Sequence, residues 1–195
     1  MYFEIKHLKL CKQSFSSSIF TDDNLVFVGG SKSEAGGYYP YDQKDYLSTV
    51  EFKSIGNNKT CNIKSLDNGL QDHASVVTPN GIVTCGGWTV KGKSNTCFRL
   101  TNQNTWQPFP NMNFYRSNFH MVVLGDILVA IGGLFEEKTY EKINWKNGEK
   151  WEAAEMNVMR GSYEPCVTKW DEESVLITGG TDSGHVSNSN FESFR

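Results

Sequence analysis

Four times along this chain a short apolar run ends in a pair of glycines: "LVFVGG" at 25–30, "GIVTCGG" at 81–87, "DILVAIGG" at 126–133 and "SVLITGG" at 174–180. A recurring internal period is the signature of a repeat architecture, and it constrains the fold before any total does. The second glycines fall at 30, 87, 133 and 180, at intervals of 57, 46 and 47.

Each interval carries more than the glycines. A second apolar segment and a short turn precede every pair. The turn is Asn80-Gly81 in the second unit, a type I′ hairpin signal, and Gly125-Asp126 in the third. The first and fourth units use Asp22 to Asn24 and Asp171 to Glu173. After the glycines come a polar loop and another extended stretch: "LSTVEFKSI", "NTCFRLT", "YEKINWK" and "SNFESFR". In the first three units a turn and a fourth short strand follow, "TCNIKSL", "TWQPFP" and "KWEAAEM". Each unit thus reads as strands a, b, c and d of an antiparallel meander. No window longer than ten residues shows a helical period. The expected fold class is all-β, one repeat domain with units near 14–66, 72–110, 117–156 and 161–195, and residues 1–10 as a separate outer strand.

These residues resemble the kelch repeat, the roughly 50-residue unit of one class of β-propeller. In that pattern Gly-Gly is followed by a Tyr-bearing strand, a Trp about twenty residues on, then Met and Arg. Trp106 and Met112 precede Arg116, and Trp151 and Met156 or Met159 precede Arg160. Tyr140 fits the strand-c aromatic of the third unit. The first unit departs: Cys61 stands near the place of Trp, and its b–c loop is swollen over residues 31–46. The resemblance implies a β-propeller or part of one, of about four blades. It makes Gly29, Gly30, Gly86, Gly87, Gly132, Gly133, Gly179 and Gly180 structural, as places of positive φ and close backbone approach. It places Trp106 and Trp151 between neighbouring blades.

Phe3 lies 26 residues before Gly29, as Trp106 lies 26 before Gly132, so "YFEIKHL" takes the place of a strand d. The chain reads d, abcd, abcd, abcd, abc. Pairing of residues 1–9 with "NFESFR" would complete the last blade. A compact four-blade closure and a piece of a longer five- to seven-bladed array both fit this order, and the longer array is favoured. In the latter case open blade edges offer a route to self-association.

The implied function is a protein-binding module with an unidentified protein partner. Tyr38, Tyr39 and Tyr41 of the long b–c loop, with Arg116 and Arg160 of the d–a loops, would gather on one loop face; the alternative is a structural role for the two arginines as the repeat's Arg and an ordinary loop for the tyrosines. Tyr and Arg dominate interface hot spots. An extracellular adhesion or carbohydrate-related kelch protein is the alternative, and a copper-radical oxidase resembling galactose oxidase is a further one. The oxidase needs two Tyr and two His with a Tyr–Cys cross-link, and no such motif is legible. Adaptor proteins of ubiquitin ligases carry kelch blades with BTB and BACK segments, which are not present here. No catalytic residue, metal site or cofactor is expected: HxH, HExxH and CxxC are all absent. His73 and His120 fall at the start of strand a and are expected to be structural or solvent-facing.

Net charge is −3 with no basic run, which argues against nucleic acid or an anionic membrane as the main partner. No apolar stretch reaches the length of a membrane span. The opening "MYFEIKHLKLCKQSF" has no uninterrupted apolar core of a signal peptide, which points to the cytoplasm for a full-length chain. Among five cysteines, Cys85 and Cys97 face each other if their hairpin centres near residue 91. Directly opposed antiparallel residues lie within disulfide range. Two buried thiols are the alternative. A bridge would favour an extracellular life.

Overall fold

The computed structural model describes residues 17–21, 24–31, 46–54, 56, 59–134, 136, 138–156, 166–179 and 191–194. Among these residues there is no helix, and every strand pairing is antiparallel. The first sheet is the meander β1 (Ser17–Thr21), β2 (Asn24–Val28), β3 (Val50–Ser54) and β4 (Thr60–Ile63). The second begins with β5 (Ala74–Thr78) and β6 (Gly81–Cys85). A two-stranded hairpin then intervenes, β7 (Trp88–Thr89) and β8 (Gly92–Lys93), where the sequence suggested only a polar loop. The second sheet resumes with β9 (Cys97–Leu100) and β10 (Trp106–Phe109). The third comprises β11 (His120–Leu124), β12 (Ile127–Ile131), β13 (Thr139–Asn144) and β14 (Glu152–Glu155). The fourth has three strands, β15 (Cys166–Lys169), β16 (Val175–Thr178) and β17 (Phe191–Phe194).

The first strands of successive sheets, β1, β5, β11 and β15, run side by side, and the sheets stack face to face. Between the first and second sheets lie Val26, Val28, Val50, Leu66 and Leu70, against Ile82, Phe98 and Trp106. Between the second and third lie Val76, Val83 and Phe109 against Met121, Leu128 and Ile143. Between the third and fourth lie Val129, Ile131 and Met156 against Val175 and Ile177. A sheet covered on both faces needs apolar residues at consecutive positions. That is why β12 reads "ILVAI" without alternation and buries its last four residues. By contrast β14, "EAAE", is exposed throughout. It exists because β13 offers it a ladder, as the outermost strand of its sheet.

The glycine pairs sit where consecutive sheets meet. The first glycine lies against the segment that enters the next sheet. A β-carbon on Gly29 would stand 2.6 Å from the Leu70 carbonyl oxygen, and one on Gly86 2.6 Å from that of Arg116. The second glycine lies against its own sheet's entry segment. A β-carbon on Gly87 would stand 2.5 Å from the Gln71 carbonyl oxygen, and one on Gly133 2.8 Å from that of Ser117. The backbone N–H groups of Gly30 and Gly87 then donate to the carbonyls of Leu70 (2.7 Å) and Arg116 (2.8 Å). Two carbonyls therefore close on one glycine pair from both sides. All five of these glycines have φ between +58° and +110°. Gly180 lies outside the described residues.

The tryptophans join the same pairs of sheets farther out. The Trp106 indole N–H donates to the Lys64 carbonyl, 2.8 Å away, just past the end of β4. That of Trp151 donates to the Pro110 carbonyl, 2.7 Å away, just past the end of β10. Trp151 is buried and meets Phe109 edge-on at 6.4 Å, whereas Trp106 is half-buried. Cys61, near the corresponding place in the first sheet, is exposed. Phe3 and residues 1–9 lie outside the described residues.

Candidate functional site

In a four-strand meander the segment entering strand a and the loop joining b to c emerge at the same end of the sheet. At that end the segment 110–119 and the β7–β8 hairpin spring from one junction, the Gly87-to-Arg116 hydrogen bond.

The segment is organised by one buried carboxylate. Glu141, on β13, has no exposed side-chain surface. Its Oε2 accepts from the Asn113 backbone N–H (2.6 Å) and side chain (2.9 Å). Its Oε1 accepts from the Phe114 backbone N–H (3.2 Å) and from Arg116 Nε (3.0 Å). Arg116 spends its remaining donors on the Gly132 carbonyl (2.6 Å) and on the Thr139 hydroxyl (2.8 Å). Burial draws the guanidinium below its ordinary pKa, and Glu141 opposes that shift. Of the two places the sequence offered Arg116, the partner-facing surface and a structural role, it takes the structural one, as an internal cross-link, because a planar five-donor cation satisfies a carboxylate, a carbonyl and a hydroxyl at once.

The chain between Asn113 and Arg116 wraps that carboxylate and turns Tyr115 outward, where it is 57% exposed. Tyr115 is an aromatic held between anchored neighbours, and sequence reasoning passed over it in favour of Arg116.

The hairpin is equally fixed. Cys85 and Cys97 are opposite partners in the β6–β9 ladder, with Cα atoms 4.1 Å apart, joined by a disulfide at the hairpin's base. Both are fully buried, and they stand where β2–β3 carry Val28 and Val50 and β12–β13 carry Ile131 and Tyr140. Above the bridge, Gly86 N–H donates to Thr96 O at 3.0 Å and Ser94 N–H to Gly87 O at 2.8 Å. The turn is closed by the Thr89 hydroxyl, which donates to Gly92 O (3.1 Å) and accepts from Lys91 N–H (3.0 Å). The tip presents exposed Val90 and Lys91, with the Lys93 ammonium 5.5 Å from the Trp88 ring. Reduction of the bridge frees a 12-residue loop and is expected to cost about 3 kcal/mol. Denaturant titration with and without reductant measures it.

Tyr38, Tyr39, Tyr41 and Arg160 lie outside the described residues. His120, the first residue of β11, is exposed. His73 immediately precedes β5 and is buried between the first two sheets, its Cε1 2.9 Å from where a Gly29 β-carbon would stand. Neither ring nitrogen has a hydrogen bond of good geometry. Burial pushes its pKa from the ordinary 6.5 down to about 4, with the Val28 backbone offsetting part of the shift. The fold therefore holds the neutral ring, while the unfolded chain takes up a proton. The stabilising contribution is complete above about pH 6.5 and is lost as pH falls towards 4, about 3 kcal/mol in all. Phe119 occupies the same place before β11. Urea unfolding at pH 7 and 4.5 should thus show a drop of about 2–3 kcal/mol from this group, absent in His73→Phe.

Among the described residues no three His, Cys, Asp or Glu side chains gather to hold a metal ion. No family model matches the chain, and no curated protein matches it either.

Proposed function

We propose that this chain is a kelch-type array of propeller blades that serves as a protein-binding module, its contact surface being Tyr115 and the β7–β8 tip. The observation that carries the reading is an exposed aromatic and an exposed hairpin, each fixed from beneath by a buried cross-link. Ordering cost is what most weakens a loop-borne epitope, and a buried ion pair and a disulfide remove that cost in advance. The stacking of four successive antiparallel sheets, with the first two glycine pairs at the joints, supports the propeller arrangement. The disulfide favours an oxidising compartment, and so the extracellular form of this reading.

The test compares two surface variants as baits for cross-linking in native extracts. Tyr115→Ser alters the proposed face. Trp170→Ser alters the β15–β16 turn at the other end of the sheets, where Trp170 is 67% exposed. Loss of cross-linked partners with Tyr115→Ser alone is the expected result. Equal retention by both variants, or loss with Trp170→Ser alone, overturns the assignment.

A further inference from the structure

Asparagine is followed by glycine at Asn68-Gly69, Asn80-Gly81 and Asn147-Gly148. Such a dipeptide is chemically weak. Glycine has no β-carbon to shield its nitrogen from the asparagine side chain before it. That nitrogen can attack the side-chain carbonyl carbon and expel ammonia. All three asparagines are exposed, so access to water does not rank them. The state of the glycine nitrogen does.

Gly81 closes the Pro79-Asn80 turn onto Thr78, its ladder partner, so its N–H is spent on the hairpin. The Thr78 hydroxyl also holds that residue, donating to its carbonyl at 2.9 Å. The Gly148 N–H donates to the Asn144 carbonyl at 2.8 Å. The Gly69 N–H, by contrast, has no acceptor among the described residues. Asn68 lies between two anchors. The backbone N–H groups of Leu66 and Leu70 donate to the carbonyls of Ser48 (2.8 Å) and Leu47 (3.0 Å). Both leucine side chains are buried in the layer between the first and second sheets.

We propose that Asn68 is the site at which this protein deamidates, and that one product loosens the joint between the first two sheets. The Gly69 nitrogen loses its proton to solvent base and bonds to Asn68 Cγ. The bond from Cγ to the amide nitrogen breaks, and ammonia leaves. The cyclic imide that forms then takes up water. Opening at one carbonyl gives aspartate. Opening at the other gives isoaspartate, whose main chain runs through Cβ and Cγ. Base and water are the only co-reactants. The aspartate form alters an exposed side chain alone. The isoaspartate form lengthens the main chain between the Leu66 and Leu70 anchors. Gly69 is poorly placed to absorb the added length, since a β-carbon there would stand 2.4 Å from the Tyr46 carbonyl oxygen. Leu70 takes the strain, and its carbonyl accepts the Gly30 N–H at 2.7 Å, the bond that closes the first glycine pair.

Peptide mapping of the native, disulfide-bonded chain during incubation at neutral pH tests the site, with the chain in denaturant beside it. The expected result is conversion of Asn68 at least about tenfold faster than Asn80 or Asn147 in the folded chain, because a bonded nitrogen must first open. In denaturant the three rates should converge. Native Asn68 no faster than the other two overturns the site, because the contact with Tyr46 then restrains Gly69 as firmly as a hydrogen bond would. Hydrogen exchange at Gly30 tests the loosening. Aged chain with isoaspartate at position 68 should exchange this amide about tenfold faster than fresh chain. Freshly made Asn68→Asp should exchange it at the parent rate. Asn68→Gln, whose longer side chain closes the ring slowly, should age without change at Gly30. Parental exchange in the isoaspartate form overturns the loosening. So does fast exchange in fresh Asn68→Asp or in aged Asn68→Gln, because charge or a change elsewhere is then its cause.

Discussion

Replacing Gly87 by valine is expected to abolish the fold, at a cost above about 4 kcal/mol, beyond the range of ordinary substitutions. The new β-carbon would stand 2.5 Å from the Gln71 carbonyl oxygen and 2.7 Å from the His73 β-carbon, both on rigid main chain or close to it. The backbone cannot retreat, because its N–H is bonded to Arg116 on the other side. At φ +83° a β-branched residue is strained even without neighbours. Gly92 supplies the control: its φ is +109°, yet no atom of the described residues lies within 4 Å of its missing β-carbon. Gly92→Ala should cost only the backbone strain, about 1–2 kcal/mol. Thermal unfolding followed by circular dichroism separates the two, and equal losses would show that φ alone, not the joint between sheets, fixes the glycine.

Removing the Arg116 side chain is expected to cost about 3–5 kcal/mol, since it strands the Glu141 carboxylate in the interior. The second sheet indicates the remedy. Leu70 holds the place of Arg116 and Phe98 that of Glu141, and both belong to the apolar layer between the first and second sheets. One chain thus carries both a charged and an apolar solution to the same position. Arg116→Leu alone should be severely destabilised, whereas Arg116→Leu with Glu141→Phe should regain at least half of the loss. The Asn113, Phe114 and Gly132 backbone groups released by the double change set the remainder. Denaturant midpoints of the two single variants and the double form the cycle. Strictly additive losses would show that the pair does not act as a unit.

The meander was legible because its signals are local. Turn dipeptides such as Asn80-Gly81 and the glycine pairs punctuate the chain at the observed strand ends. The β7–β8 hairpin was hidden because "WTVKGK" has too few residues to show a period. Arg116 was left between two roles for a different reason. Its type and spacing say that it matters, but only a partner decides whether an arginine faces inward. That partner had a trace in the sequence: Glu51, Glu141 and Glu192 share one register position on strand c, with Phe98 as the exception. Tyr115 left no trace at all, since nothing in its own neighbourhood of sequence foretells that Glu141 will draw Asn113, Phe114 and Arg116 beneath it.

Each sheet pairs neighbouring strands of one repeat, the second across the β7–β8 hairpin, yet the first two glycine pairs are completed by the sheet that follows. Gly30 waits for Leu70, and Gly87 waits for Arg116. On the ribosome this becomes a clock. A sheet whose four strands have emerged can pair its ladders at once, because all its contacts are close in sequence. Counted from the glycine pair, its joint stays unmade until the next entry segment clears the exit tunnel, about forty residues on at the first joint and about thirty at the second, a few seconds of synthesis in each case. During that interval the apolar face of the newest sheet is bare. Exposure to misassembly should therefore move along the chain one sheet at a time, always at the most recently made joint.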